Sequence, residues 1–172
     1  MTHFTIVPSE SVVHIEAKSS LHPIHSETSG LEGFFEASVA ANGDIDMADG
    51  VKARLELQVN LLTSGNSLYD REMQRRIDAR RYPNITGELT EIHKAADSGR
   101  YMIKGDLTFK GVTRTYEDEM SISLCDADTL CLEGQHVFDI RDFGVDPPKI
   151  LTLRVHPEVS VKVKITARAE TI

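Results

Sequence analysis

The chain has 172 residues, enough for one domain that closes a full barrel around a core or cavity. Hydrophobic residues make up 40% and charged residues 27%, with a formal net charge of −8. An acidic chain argues against nucleic acid as the main partner, since phosphates call for a basic surface, and no apolar run approaches the length of a membrane-spanning helix.

The predicted elements are nearly all strands. In the first, Val13, Ile15 and Ala17 alternate with His14, Glu16 and Lys18. The segment His22–Glu27 (HPIHSE) reads as an exposed loop, because two histidines with no third ligand nearby make a poor metal site. Leu31, Gly33, Phe35, Ala37 and Val39 alternate next, and Asn42-Gly43 marks a hairpin. Asn42, Asp44, Asp46 and Asp49 imitate part of a calcium loop, but Met47 and Ala53 stand where an EF-hand needs glycine and glutamate. Leu55, Leu57, Val59 and Leu61 form one further apolar face.

Thr63–Pro83 carries the helix signal. Ser67 and Asp70 have capping-box spacing, Asp70 and Glu72 lie in the first turn, and Arg75, Arg76, Arg80 and Arg81 crowd the end, an order that complements the helix dipole. Tyr69, Met73 and Ile77 fall four apart and form one apolar stripe, and Pro83 is expected to stop the run. Strand patterns then resume at Ile85–Leu89, Tyr101–Phe109, Tyr116–Leu124, Leu130–Ile140 and Val159–Ile165.

About eight strands with one apolar face each predict an antiparallel sandwich or barrel. Gly33, Gly87, Gly105 and Gly134 sit in the apolar register, where they allow bending or close approach, and this favours a barrel. The lone amphipathic helix is expected to cap one end. The interior of such a barrel is either filled by side chains or just roomy enough for one small ligand.

Cys125 and Cys131 flank a predicted turn, Asp126–Leu130. The start of the sequence shows no signal-peptide pattern, so the reading is cytoplasmic, with both cysteines expected as free thiols. Asp142-Phe143-Gly144 copies kinase letters without the rest of a kinase, and no nucleophile elbow or paired-carboxylate constellation is present. The expectation is therefore a protein that is not an enzyme, needs no cofactor and holds no metal. The alternatives are a small-molecule enzyme using His136, Arg141 and Asp142 at the barrel mouth, or an empty barrel acting through protein contacts. The arginine cluster reads first as a solvated helix face with a Glu72–Arg76 ion pair, the alternatives being a clamp for a phosphate or carboxylate and a patch drawn to an anionic membrane surface.

Several segments, in order, resemble the YceI-like polyisoprenoid-binding family. They are SVVHIEAK (Ser11–Lys18), SGLEGFFEASVAANGDI (Ser29–Ile45), TSGNSLYDRE (Thr63–Glu72), RRYPNITGEL (Arg80–Leu89), GDLTFKGVTR (Gly105–Arg114) and DIRDFGV (Asp139–Val145). The resemblance covers most of residues 1–172 as a single domain. It implies an all-β, eight-stranded antiparallel lipocalin-like barrel whose long apolar interior holds an isoprenoid-type lipid, such as a polyprenyl lipid or quinone. On that reading the ligand-lining residues are Ile15, Phe35, Leu57, Val59, Leu107, Ile122, Phe138 and Val161, with Met73 and Ile77 capping one end. Arg75, Arg76, His136 and Arg141 are the head-group candidates, and a homodimer is implied. The chain departs from the family where relatives carry a tryptophan in the first strand and a phenylalanine pair before Tyr82-Pro83.

Overall fold

The computed structural model describes residues 1–170. Among them twelve strands run in chain order: β1 (Thr2–Ile6), β2 (Val12–Ser19), β3 (Ile24–Ser29), β4 (Glu32–Val39), β5 (Ile45–Asp46), β6 (Lys52–Gln58), β7 (Asn84–Lys94), β8 (Arg100–Phe109), β9 (Val112–Asp126), β10 (Thr129–Asp139), β11 (Lys149–Ile150) and β12 (Leu153–Ala169). One α-helix, α1 (Ser67–Ile77), lies between β6 and β7.

Eight of the strands close an antiparallel ring in the order β1-β4-β6-β7-β8-β9-β10-β12, with β12 pairing back onto β1. The ring follows from the period-two pattern. Phe35 and Ala37 of β4 are buried while Glu32 is exposed, and Leu130 and Leu132 of β10 are buried while Glu133 is exposed. Each such strand has one face that must leave water, and closing the sheet on itself buries all of those faces without leaving an edge. Gly33 belongs to this closure. Its φ is +140° and an added Cβ would lie 1.9 Å from the Arg54 carbonyl oxygen, so only glycine lets β4 press against β6 there.

The seventeen-residue β12 serves two partners on one edge. Its end pairs Ala167–Ala169 with Ile6–Phe4 of β1, and its earlier part pairs Val159–Lys164 with Ala17–Val12 of β2. A 3₁₀ turn, Pro8–Glu10, separates β1 from β2, and buried Ser11 accepts the Thr166 N–H at 3.1 Å. β3 continues from β2 as a hairpin.

The sequence reading missed β1 and β3. His25, expected in a loop, stands in β3 opposite Glu16. The helix cap also differs from the expected capping box. Asn66 is the N-cap, its side chain accepting the Leu68 and Tyr69 N–H groups, while the Asp70 carboxylate reaches back to the Ser64 N–H and hydroxyl. At the other end, Asp78 takes a left-handed conformation (φ 56°) and stops the helix five residues before Pro83. Leu61, expected on an apolar face, is in a 3₁₀ turn and is partly exposed.

The cysteine expectation is overturned. Cys125 and Cys131 form a disulfide across the β9–β10 hairpin, with Cα atoms 5.9 Å apart. The register shifts by one residue at the turn, so that Thr129 faces Asp126 while Leu130 faces Leu124, and this irregularity brings the two sulfurs together.

Candidate functional site

The packed core gathers at the β1 end of the barrel. Phe4, Ile6, Phe35, Ala37, Ile122, Leu130, Ile165 and Ala167 are buried there against Tyr101 and Ile45. The Tyr101 hydroxyl accepts the Ile45 N–H at 2.9 Å, so the β4–β5 hairpin is tied across that end by a buried hydrogen bond.

Below this plug the interior is not filled. One cavity of about 280 Å³ lies under α1, and a second of about 230 Å³ lies toward the plug. Each exceeds the ~150 Å³ apolar cavity that stays dry and takes up a benzene ring. Four residues, Leu55, Gly87, Leu107 and Phe138, line both cavities and form the waist between them. An added Cβ at Gly87 would meet nothing closer than 3.8 Å, and its φ is not in the left-handed region. Neither backbone nor packing therefore requires glycine there; its effect is to leave the waist wider.

The helix forms the roof of the first cavity, with Tyr69, Met73, Gln74 and Ile77 facing down into it. One side of that roof is a seam. β3 pairs with β2 but meets the 59–64 segment only through side chains, the Thr28 hydroxyl donating to the Leu61 carbonyl at 2.7 Å and the Ser26 hydroxyl to the Thr63 carbonyl. The Tyr69 hydroxyl lies 3.4 Å from His22 Nε2, so the segment read as a histidine loop touches the lid.

All ten apolar residues singled out from the sequence face this interior. Ile15, Leu57, Val59, Met73, Ile77 and Val161 line the first cavity, Phe35 and Ile122 the second, and Leu107 and Phe138 both. The four head-group candidates divide. His136 lines the second cavity. Arg75 and Arg76 line neither; both bind Glu72, at 2.8 and 3.0 Å, and their hydrogen bonds hold its carboxyl below the ordinary range. Arg141 is likewise paired with Asp139 at 2.6 Å outside the lumen. This is the solvated-face reading of the helix arginines, and it separates Arg141 from His136.

The sequence reading missed Tyr116 and Asp118. Both lie on β9 in the inward register with Met120 and Ile122, and both line the second cavity. Asp118 Oδ2 sits 2.6 Å from His136 Nδ1. Tyr116 packs edge-on against the rings of His136 and Phe138, with centroids 5.2 and 4.9 Å away. Its hydroxyl donates to Asp142 at 3.2 Å, and its pKa is pushed up to about 12, first by desolvation and then by the nearby Asp142 charge. The period-two alternation was the available signal: it places Asp118 on the same face as Tyr116 and Met120, opposite Glu117 and Glu119.

The family model for the YceI-like domain matches residues 4–167. The chain belongs to the YceI-like family. Solved structures similar to this YceI-like chain include Burkholderia cenocepacia BcnA, at 20% identity over 94% of this chain and 98% of that one, with a TM-score of 0.77. A polyisoprenoid binding domain from Saccharophagus degradans is 11% identical over 99% and 100% of the two chains, with a TM-score of 0.75. The Campylobacter jejuni YCEI protein is 13% identical over 86% and 85%, with a TM-score of 0.64. Identities this low speak to the fold, which is the closed eight-stranded antiparallel barrel expected of a YceI-like chain. No curated protein sequence matches it.

Proposed function

We propose that the barrel binds and carries an apolar isoprenoid-type lipid in its lumen, without catalysis. The observation that carries this reading is the pair of largely apolar chambers that share Leu55, Gly87, Leu107 and Phe138 as a common wall. Two adjacent chambers within one barrel suit a chain better than a compact ligand. Each isoprene unit buried contributes roughly 2–4 kcal/mol at ~0.8 kcal/mol per CH₂, so affinity grows with chain length until both chambers are filled. The seam beside β3 and the lid α1 are the route by which a lipid reaches the first chamber. Membership of the YceI-like family, and the polyisoprenoid binding named for the Saccharophagus domain, support the same ligand class. The disulfide supports work in an oxidising compartment instead of the cytoplasm.

The test is binding of prenyl chains of graded length, with native mass spectrometry of the purified protein and of its organic extract. Leu107→Trp fills the waist and is expected to abolish uptake of long chains. Gly87→Val, on a backbone that tolerates a side chain, is expected to narrow the waist, weakening long chains and sparing short ones. No bound lipid, and no uptake of any prenyl chain by the native protein, would overturn the carrier reading. Equal uptake of long chains by Leu107→Trp would show that the ligand does not thread the waist.

A further inference from the structure

Within the second chamber two inward positions break the apolar pattern side by side. β9 presents Tyr116, Asp118, Met120 and Ile122 to the lumen, and β10 presents Leu132, His136 and Phe138. The pair is only partly buried, with 27% of the His136 side chain and 47% of the Asp118 side chain exposed. Asp118 takes the Nδ1 side of His136, at 2.6 Å, and so fixes the imidazole and leaves Nε2 as the remaining polar atom of the ring. The edge-on ring of Tyr116 and the tilted ring of Phe138 pack against the same imidazole.

We propose that His136 is a head-group site for an uncharged oxygen function, a hydroxyl or carbonyl on the end of the carried chain, with Asp118 as its positioning residue. This rests on the carrier reading and specifies which isoprenoids the lumen selects.

The charge of the lining decides against an anionic head. Among the described residues no lysine or arginine lines either chamber, whereas the Asp118 carboxylate stands in the inward register of the second; Glu88 and Asp106 border that chamber from the outward register, where Arg54 and the Thr115 hydroxyl engage them. The cations near this wall are already engaged on its outer side: Arg114 Nε donates to the Asp142 carbonyl at 2.9 Å, and Arg54 pairs with Glu88. A phosphate or diphosphate in the second chamber would therefore meet the Asp118 carboxylate with no guanidinium to answer it. A neutral oxygen has no such difficulty, since Nε2 of His136 can accept from a hydroxyl or, when the ring is protonated, donate to a carbonyl. The Tyr116 phenol is committed to Asp142 and holds its proton to about pH 12, so it adds no cation and no anion to the site under ordinary conditions.

The experiment measures binding of geranylgeraniol, of its diphosphate and of the matching oxygen-free isoprenoid hydrocarbon to the full chain. The alcohol is expected to bind about three- to tenfold more tightly than the hydrocarbon, the range one hydrogen bond supports, and the diphosphate at least about tenfold more weakly than the alcohol, as expected for a charge brought beside like charges. His136→Leu is expected to bring the alcohol level with the hydrocarbon while leaving the hydrocarbon unchanged, and His136→Gln to restore part of the difference. Asp118→Asn keeps the volume of the side chain and is expected to reduce the alcohol's advantage, which carries the test should His136→Leu not fold. A diphosphate that binds as tightly as the alcohol, or an alcohol preference that survives both the His136 and Asp118 substitutions, would overturn the head-group site while leaving hydrocarbon uptake, and so the carrier reading, intact. Failure of all three chains to bind would remove the carrier reading and this site with it.

Discussion

At the β1 end, backbone hydrogen bonds run without interruption from β12 through β1 into β4, and the residues beneath them are among the most buried in the protein. At the helix end, β3 and the 59–64 segment are held together by two hydroxyl groups, and the roof above is an eleven-residue helix. One end is a ladder over a packed plug; the other is a seam under a short lid. An intramolecular hydrogen bond contributes about 0.5–1.5 kcal/mol net, so two of them form a closure that opens far more cheaply than a strand pairing backed by a core. The difference separates stability from access: the plug keeps the barrel folded, and the seam and lid admit what it carries.

The largest test of that division is to delete a side chain at each end. Phe4→Ala removes a ring buried in the plug and lining neither cavity, and is expected to cost about 3–5 kcal/mol in a denaturant titration. Met73→Ala removes a side chain that faces the first cavity, where atoms are already missing on one side, and is expected to cost about 2 kcal/mol, the lower limit for such truncations, or less. Equal losses would mean that the helix end is as much a part of the folding core as the plug.

Tyr101→Phe is the next largest. It keeps the ring and leaves the buried Ile45 N–H without its acceptor at 2.9 Å. An unsatisfied buried donor costs about 1–3 kcal/mol, and the loss is expected as a lowered unfolding midpoint with the helix-end amides unaffected in hydrogen exchange. Faster exchange at α1 in this variant would show that the two ends open together.

What the sequence disclosed follows this same division. The barrel and the inward parity of its longer strands were legible because each carries a period-two pattern, and that parity put eight of the ten apolar residues on the interior face, with Met73 and Ile77 placed by the four-residue spacing of the helix. β1 and β3 were not legible. β1 has only five residues, and β3 (IHSETS) is mostly polar because its side chains serve the seam, where Ser26 and Thr28 must donate. The hairpin that joins Cys125 to Cys131 depends on a one-residue register shift that no periodicity records. The second chamber's polar wall was half visible. His136 stood out within an apolar register, but Asp118 was hidden in the acidic run Glu117-Asp118-Glu119, where composition suggests three solvated carboxylates and only the strand's alternation singles out the middle one. The arginines offered the opposite case: five between Arg71 and Arg81 could make an anion clamp, but the helical spacing of Glu72 and Arg76 favoured an ion pair, and Arg75 and Arg76 are both satisfied by Glu72.

Asn66→Ala sharpens the lid side of the comparison. The Asn66 side chain satisfies two N–H groups of the first helical turn, and losing such a cap costs about 1 kcal/mol. A short helix fixed at its start by one side chain is expected to fray locally, so amide exchange in α1 and the exchange rate of bound prenyl chains should both rise while Phe35 and its neighbours keep their protection. An unchanged ligand exchange rate would mean that access does not pass the lid.

The smallest expected effect is that of removing Arg75 and Arg76 together. Arg75 is exposed while Arg76 and Glu72 are partly covered, and ion pairs this near the solvent are screened and contribute little. Their hydrogen bonds lower the Glu72 pKa from its ordinary 4.5. A carboxylate whose folded pKa is depressed contributes stability above its unfolded value, and that contribution disappears as the pH falls through the lower folded value. The double substitution to alanine is therefore expected to match the native protein at strongly acid pH and to fall slightly behind it above about pH 4.3–4.5, with the gap shrinking in high salt. Binding of uncharged prenyl chains should not change, because neither side chain reaches the lumen. A loss of uncharged-chain binding would return these arginines to the site, and would mean that the helix in solution turns its charged face toward the opening, not away from it.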